Sequence, residues 1–229
     1  MAGVSLIDRR TILVACLVLV AGCTSSTTSQ ADGMSGREPV STFGSSPTAI
    51  TSVVMVGDSI TEGSQAMLTT ALTDAGVDDV RIEGEASRRI EVGNGKGSGP
   101  ASGIITMYAL LVEGVDPSVW VVELGTNDIG SYNGAEEYGA LIDKVTIMLP
   151  TTKPLVWVNT YRSQYLDDTM LFNSVLAERM KARGNAVVAD WFAVASAPGQ
   201  TVLRSDNLHP NVNGQFVLSL LVLQALQQL

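Results

Sequence analysis

Ser52-Val53-Val54-Met55-Val56-Gly57-Asp58-Ser59-Ile60-Thr61 decides how the rest of the chain is read. The apolar run does not alternate, is too short for a helix and breaks at glycine, which describes a strand buried on both faces, as in parallel sheets. Working outward, the pattern repeats. Helical periodicity near residues 64–75 closes at Gly76, and Val80-Arg81-Ile82 reads as a second strand. A helix over 101–113 precedes a third strand over 119–124, and a helix over 134–149 stops at Pro150. Residues 155–158 form a fourth strand, 167–183 an amphipathic helix ended by Gly184, and 186–189 a fifth strand; the last helix starts near Asn213. Repeated strand–helix units predict an α/β chain: a single doubly wound, flavodoxin-like parallel sheet of five strands with helices on both faces, in the order 2-1-3-4-5. In such sheets a site lies beyond the carboxyl ends of the strands.

Three of those ends carry polar residues suited to chemistry. The first runs into Ser59, whose hydroxyl stands at the sheet's edge while its N–H joins the unpaired donors of a helix start. The third ends in Gly125-Thr126-Asn127-Asp128, which adds a side-chain amide. Beyond the fifth lies Asp206-Asn207-Leu208-His209-Pro210, holding the only histidine in the chain. A serine hydroxyl attacks poorly until a base takes its proton, and histidine is the side chain suited to that near neutral pH. Asp206, three residues before His209, is close enough to orient the ring.

The motifs Gly57-Asp58-Ser59-Ile60-Thr61, Gly125-Thr126-Asn127-Asp128 and Asp206-Asn207-Leu208-His209-Pro210, in this order and at these strand ends, resemble blocks I, III and V of the SGNH (GDSL-like) hydrolase superfamily, over roughly residues 52–215. The resemblance implies that Ser59 is the nucleophile and gives one oxyanion donor through its backbone N–H. It implies that Asn127 gives another through its amide, and that His209 is general base and then general acid with Asp206 as partner. It implies acyl transfer through an acyl-serine released by water, with no cofactor and no metal. Block II departs from the family's pattern, which sets a glycine after the second strand as third donor. In Ile82-Glu83-Gly84-Glu85-Ala86-Ser87-Arg88-Arg89, Ser87 falls at that position and Gly84 is the alternative. A serine there also resembles the SGNH domains of peptidoglycan O-acetyltransferases.

Other polar residues have plainer readings. Asp58 supports the turn, and Asp128 holds the Asn127 loop. Asp190 is the runner-up for the acid behind His209. Arg88 and Arg89 read as a solvated loop, with contact to an anionic or sugar substrate as the alternative. Asn159, Tyr161 and Arg162 follow the fourth strand, where substrate-facing residues belong. The G-x-S-x-G elbow is absent around Ser59, one histidine and no spare cysteine argue against a zinc site, and Gly93 to Gly99 has neither P-loop nor dinucleotide spacing and reads as a loop beside the site.

The remaining signals concern location. Arg9 and Arg10 precede the apolar run Thr11 to Val20, and Val20-Ala21-Gly22-Cys23 resembles a bacterial lipobox. Residues 1–22 are expected to be a lipoprotein signal peptide, with Cys23 lipidated after cleavage. The resemblance implies double acylation of Cys23, which would anchor the chain to the membrane's outer face. The run Asp8 to Leu13 also resembles a twin-arginine signal. Residues 23–50, rich in Ser, Thr, Gly and Pro, read as a flexible linker, and 51–229 as the hydrolase domain. Cys16 and Cys23 are the only cysteines, so the domain stands on its core without disulfides. A net charge of −9 argues against nucleic acid. The expected function is a serine-dependent carboxylic-ester hydrolase acting outside the cytoplasmic membrane on O-acyl esters of envelope glycans, lipids or small molecules. Two alternatives stand beside it: an O-acyltransferase using the same residues, and a non-catalytic glycan-binding lipoprotein. Oligomeric state is not legible in the sequence.

Overall fold

The structure is a computed structural model that describes residues 49–96 and 99–229. The expected signal peptide, Cys23 and the linker as far as residue 48 lie outside the described residues. Ile50, assigned to the linker from sequence, instead packs on the core and opens the folded unit.

Five strands, β1 (Ser52–Gly57), β2 (Asp79–Gly84), β3 (Val119–Glu123), β4 (Leu155–Val158) and β5 (Ala186–Ala189), form one sheet. Its order is β2-β1-β3-β4-β5, and every pairing is parallel. The expected α/β architecture and strand order are both found. Helices α1 (Ser59–Asp74), α2 (Gly103–Val112), α3 (Gly134–Met148), α4 (Leu166–Arg183), α5 (Trp191–Ala195) and α6 (Val212–Leu226) complete the described unit. The helix start expected at Ser59 is found: α1 runs back from the periodic stretch near residues 64–75 to Ser59, because Asp58 caps it by accepting the Ile60 N–H. The one-and-a-half turns of α5 have no counterpart in the periodicity, since five residues are too few to show a period.

The unbroken apolar strands are explained by where their side chains go. Val53 and Met55 of β1, Val121 of β3 and Val156 of β4 point to one face, under Leu68 and Leu72 of α1, Trp191 of α5 and Leu218 and Val222 of α6. Val54, Val56, Trp120, Val122 and Trp157 point to the other, under Met107 of α2, Tyr138 and Ile142 of α3 and Phe172 and Leu176 of α4. Each such side chain contributes roughly 1.5–3 kcal/mol by leaving water, so both layers are needed to hold the strand ends in register.

Close approaches at the carboxyl edge are made by glycine. An added Cβ on Gly84 would lie 2.4 Å from the Glu62 backbone nitrogen, so the end of β2 touches the first turn of α1. Gly125 turns the chain after β3 at φ 126°, where a Cβ would meet the Phe172 ring at 2.6 Å. Trp157 on β4 fixes the same turn by donating its indole N–H to the Leu124 carbonyl, 3.0 Å away. We predict that Gly84→Ala lowers stability by about 1–3 kcal/mol, because backbone rather than a flexible side chain must yield. Urea unfolding checks this; an unchanged midpoint would contradict the packing described.

Candidate active site

Asp58 ends the turn from β1 into α1 and leaves Ser59 half-buried at the first helical position. Across the edge, residues 202–211 fold into a small closed loop. Leu203 bridges Pro210, the Arg204 N–H donates to the His209 carbonyl at 2.8 Å, and Asn207 takes a left-handed φ of 55°. Asn211 caps α6 through the Gly214 N–H and donates its amide to the Thr201 and Leu203 carbonyls. The loop is thereby tied to a helix packed on the sheet.

That loop carries His209 to Ser59. The Ser59 Oγ lies 2.9 Å from His209 Nε2, and His209 Nδ1 lies 2.8 Å from Asp206 Oδ2. Burial would raise the Asp206 carboxyl, but hydrogen bonds from the His209 ring and from the Leu208 and His209 N–H groups hold it at about 2. An ionised carboxylate only accepts, so the ring hydrogen sits on Nδ1 and Nε2 is free to accept the serine proton. Asp206 Oδ1 meanwhile takes both backbone N–H groups, each at 3.0 Å, which sets the loop's own shape.

The oxyanion candidates are neighbours of this pair. Among the described residues, the Ser59 and Ser87 backbone N–H groups have no hydrogen-bond partner. Ser87 is exposed and holds a φ of 64°, the left-handed conformation that glycine adopts at least cost. Gly84 lies within β2, opposite Gly57, and its lack of a side chain serves packing against α1. The Asn127 amide bridges the two segments, donating to Asp58 Oδ2 at 3.0 Å and to the Arg88 carbonyl at 3.1 Å. Both of its hydrogens are engaged in this state, so an oxyanion must share one of them.

Several polar residues differ from their sequence reading. Arg88 is buried; its guanidinium donates to the Gly57 carbonyl at 2.8 Å, to the Glu83 carbonyl, to the Ala101 carbonyl at 3.1 Å and to Glu85 Oε2 at 2.9 Å. It pins the loop after β2 rather than facing solvent. Asp128 holds that same loop, accepting from the Ile90 N–H and the Arg89 Nε, rather than the Asn127 turn it belongs to. Asp190 caps α5 and accepts from the Asn159 amide, while the His209 ring bonds Ser59 and Asp206 instead. Asn159 is buried, and Arg162 donates to the Thr126 and Ile129 carbonyls, so both brace the edge.

Sequence reading missed Glu123, the last residue of β3. It is fully buried beside Asp58, its Oε2 accepting from the Thr61 N–H at 3.2 Å and the Thr61 hydroxyl at 2.8 Å. A charge closing an otherwise apolar strand was the available signal. Burial pushes Asp58 up to about 6 against the pull of the Ile60 N–H. Burial and then the Asp58 charge push Glu123 well above the carboxylate range.

A serine hydroxyl, an imidazole and a carboxylate hydrogen-bonded in series at the edge of a parallel sheet are the arrangement that serine hydrolases use. Within that class, residues 55–216 match the model of the GDSL-like lipase/acylhydrolase family, and the chain is a member of that hydrolase family. No curated protein matches the sequence significantly. Solved structures agree in fold. The C-terminal catalytic domain of peptidoglycan O-acetyltransferase A from Streptococcus pneumoniae superposes with a TM-score of 0.59 at 18% identity, covering 77% of this chain and 93% of that one. A G-D-S-L family lipolytic protein from Veillonella parvula gives 0.58 at 20%, covering 78% and 99%. A family 3 carbohydrate esterase from Clostridium thermocellum gives 0.55 at 16%, covering 77% and 95%.

The two kinds of carboxylate predict opposite pH effects on stability. Asp58 is raised on folding, so its stabilising contribution is complete below about pH 4 and is lost as pH climbs through about 6. Asp206 is lowered, so its contribution is complete above about pH 4 and is lost as pH falls through about 2. Between about pH 4 and 7, Tm of Asp58→Asn should therefore fall less steeply with pH than Tm of the wild type. Parallel profiles by calorimetry would refute the assignment.

Proposed function

We propose that the chain is a serine esterase, anchored outside the cytoplasmic membrane through lipidated Cys23, that removes short acyl groups from glycans or small esters by way of an acyl-serine. The continuous Ser59–His209–Asp206 relay carries this reading. His209 Nε2 takes the Ser59 proton as Oγ attacks the ester carbonyl, and Asp206 stabilises the resulting imidazolium. The carbonyl oxygen becomes an oxyanion facing the Ser59 and Ser87 N–H groups and the Asn127 amide. Collapse expels the alcohol, which receives the proton from His209. Water, deprotonated by the same imidazole, then attacks the acyl-serine, and the acid leaves as Ser59 recovers its proton.

The substrate class and location rest on two supports. The N-terminal segment has the order of a lipoprotein signal, which brings cell-envelope esters within reach. The similar folds of a peptidoglycan O-acetyltransferase and a carbohydrate esterase make an acyl group borne on a glycan the favoured group for transfer to Ser59, with the glycan hydroxyl as the leaving alcohol. A second reading, O-acyl transfer, is favoured by the serine at block II. It uses the same acyl-enzyme and differs only in whether a sugar hydroxyl or water resolves it. An acyl donor supplied with and without a glycan acceptor separates the two by the product formed.

A fluorophosphonate probe should label wild-type protein on Ser59 at neutral pH and leave Ser59→Ala and His209→Ala unlabelled; an unlabelled wild type would favour a glycan-binding role instead. Asn127→Ala should fold and lose roughly two to three orders of magnitude in kcat on an aryl ester. An unchanged rate would refute its part in the oxyanion hole.

A further inference from the structure

The carboxyls of Asp58 and Glu123 lie in hydrogen-bonding contact, and both side chains are sealed from solvent. Gly57 at the end of β1 stands opposite Glu123 on β3, and Asp58 follows it directly as the cap of α1, whose Thr61 bonds the Glu123 carboxyl. Among the described residues no cation hydrogen-bonds to either carboxyl, for the nearby Arg88 is engaged with the Gly57, Glu83 and Ala101 carbonyls and with Glu85. The Asp58 charge also feels His209, which favours its anion, and Asp128, which opposes it; Glu123 feels Asp58. Two anions cannot share such a place, and one hydrogen must lie between them.

Hydrogen-bond directions show which carboxyl is asked for negative charge. Asp58 accepts the Ile60 N–H on Oδ1 at 2.9 Å and the Asn127 amide on Oδ2 at 3.0 Å. Its two oxygens thus fix the start of the nucleophile's helix and the aim of the amide on the next strand end. Glu123 Oε2 accepts twice from Thr61 and the Asp58 N–H also reaches this carboxyl, but among the described residues no side-chain donor is bonded to its other oxygen, which is left to carry a hydrogen.

We propose that Glu123 is a positioning residue which, as the neutral acid, donates its hydrogen to Asp58 and keeps Asp58 as the anion that aims Asn127 and caps α1 beside Ser59. The interaction is a chain: Thr61 gives to Glu123, Glu123 gives to Asp58, and Asp58 receives Asn127 and Ile60. The site then holds one negative charge below the serine rather than two. That charge also steadies the imidazolium formed when His209 takes the serine proton, as Asp206 does from the other side. The inference rests on the esterase reading for its kinetic consequence and on the buried pair alone for its protonation state.

The amide of Glu123→Gln can give the same hydrogen to Asp58 and accept Thr61 through its carbonyl. It should retain kcat within about threefold of wild type, with KM unchanged. Glu123→Leu removes the donor, and kcat should fall about tenfold with little change in KM. Asp58→Asn removes the anion and should lower kcat by at least as much. Glu123→Gln as impaired as Glu123→Leu, or Asp58→Asn as active as wild type, would overturn the assignment, the latter by moving the hydrogen to Asp58. Infrared difference spectra of wild type minus Glu123→Gln at about pH 7.5 supply a readout that needs no turnover. They should show the carbonyl stretch of a protonated carboxyl, and its absence overturns the proposal even where Glu123→Leu does not fold. A wild type without ester turnover or probe labelling sinks the esterase reading alone, since the infrared band reports the pair either way.

Discussion

The hydrogen bond from Ser59 to His209 joins residues 150 apart in the chain, and no local feature of either segment creates it. Ser59 is fixed because β1 is buried on both faces and ends in a glycine that lets α1 start at once. His209 is fixed because its loop is stitched to itself and to the cap of α6, which packs on the face that α1 also covers. An error of about 1 Å between these two anchors weakens proton transfer severely, since the base must stand within hydrogen-bond reach. The two-layer core therefore has a kinetic role as well as a thermodynamic one.

The polar groups at the carboxyl edge form a support for that bond. Asp128, Arg88 and Arg162 satisfy backbone groups at the end of β1 and in the loops after β2 and β3, so that the edge is braced by side chains rather than left to solvent. Such groups are costly to bury unpaired, and each is matched to named donors or acceptors. Asp58 links the nucleophile's turn to Asn127, and Asn127 links onward to the Arg88 carbonyl, next to Ser87. The three oxyanion candidates are thus connected through a single carboxylate, and substitutions there should interact rather than add.

The sequence disclosed the architecture because two-faced burial writes itself as unbroken apolar runs, and the runs at 155–158 and 186–189 end where the strands end. It pointed to the three residues that the fold brings into one hydrogen-bonded series because the chain has a single histidine. Its failures share a cause. That Asp128 serves the neighbouring loop, that Arg88 turns inward and that Glu123 faces Asp58 all depend on register and side-chain direction between strands distant in sequence. A list of residues reads such groups as exposed or merely supportive. The periodicity of α1 is legible only from near residue 64 because Gly63 weakens the helical pattern before it, although Ile60, Thr61 and Ser64 are buried.

The most direct test of the whole account is to quench the protein in acid during turnover of an activated acetyl ester and map the acetyl group by mass spectrometry. The account predicts one added acetyl group on the peptide containing Ser59, lost on standing at neutral pH and absent from His209→Ala. An adduct on another residue, or none while the ester is being hydrolysed, would contradict it.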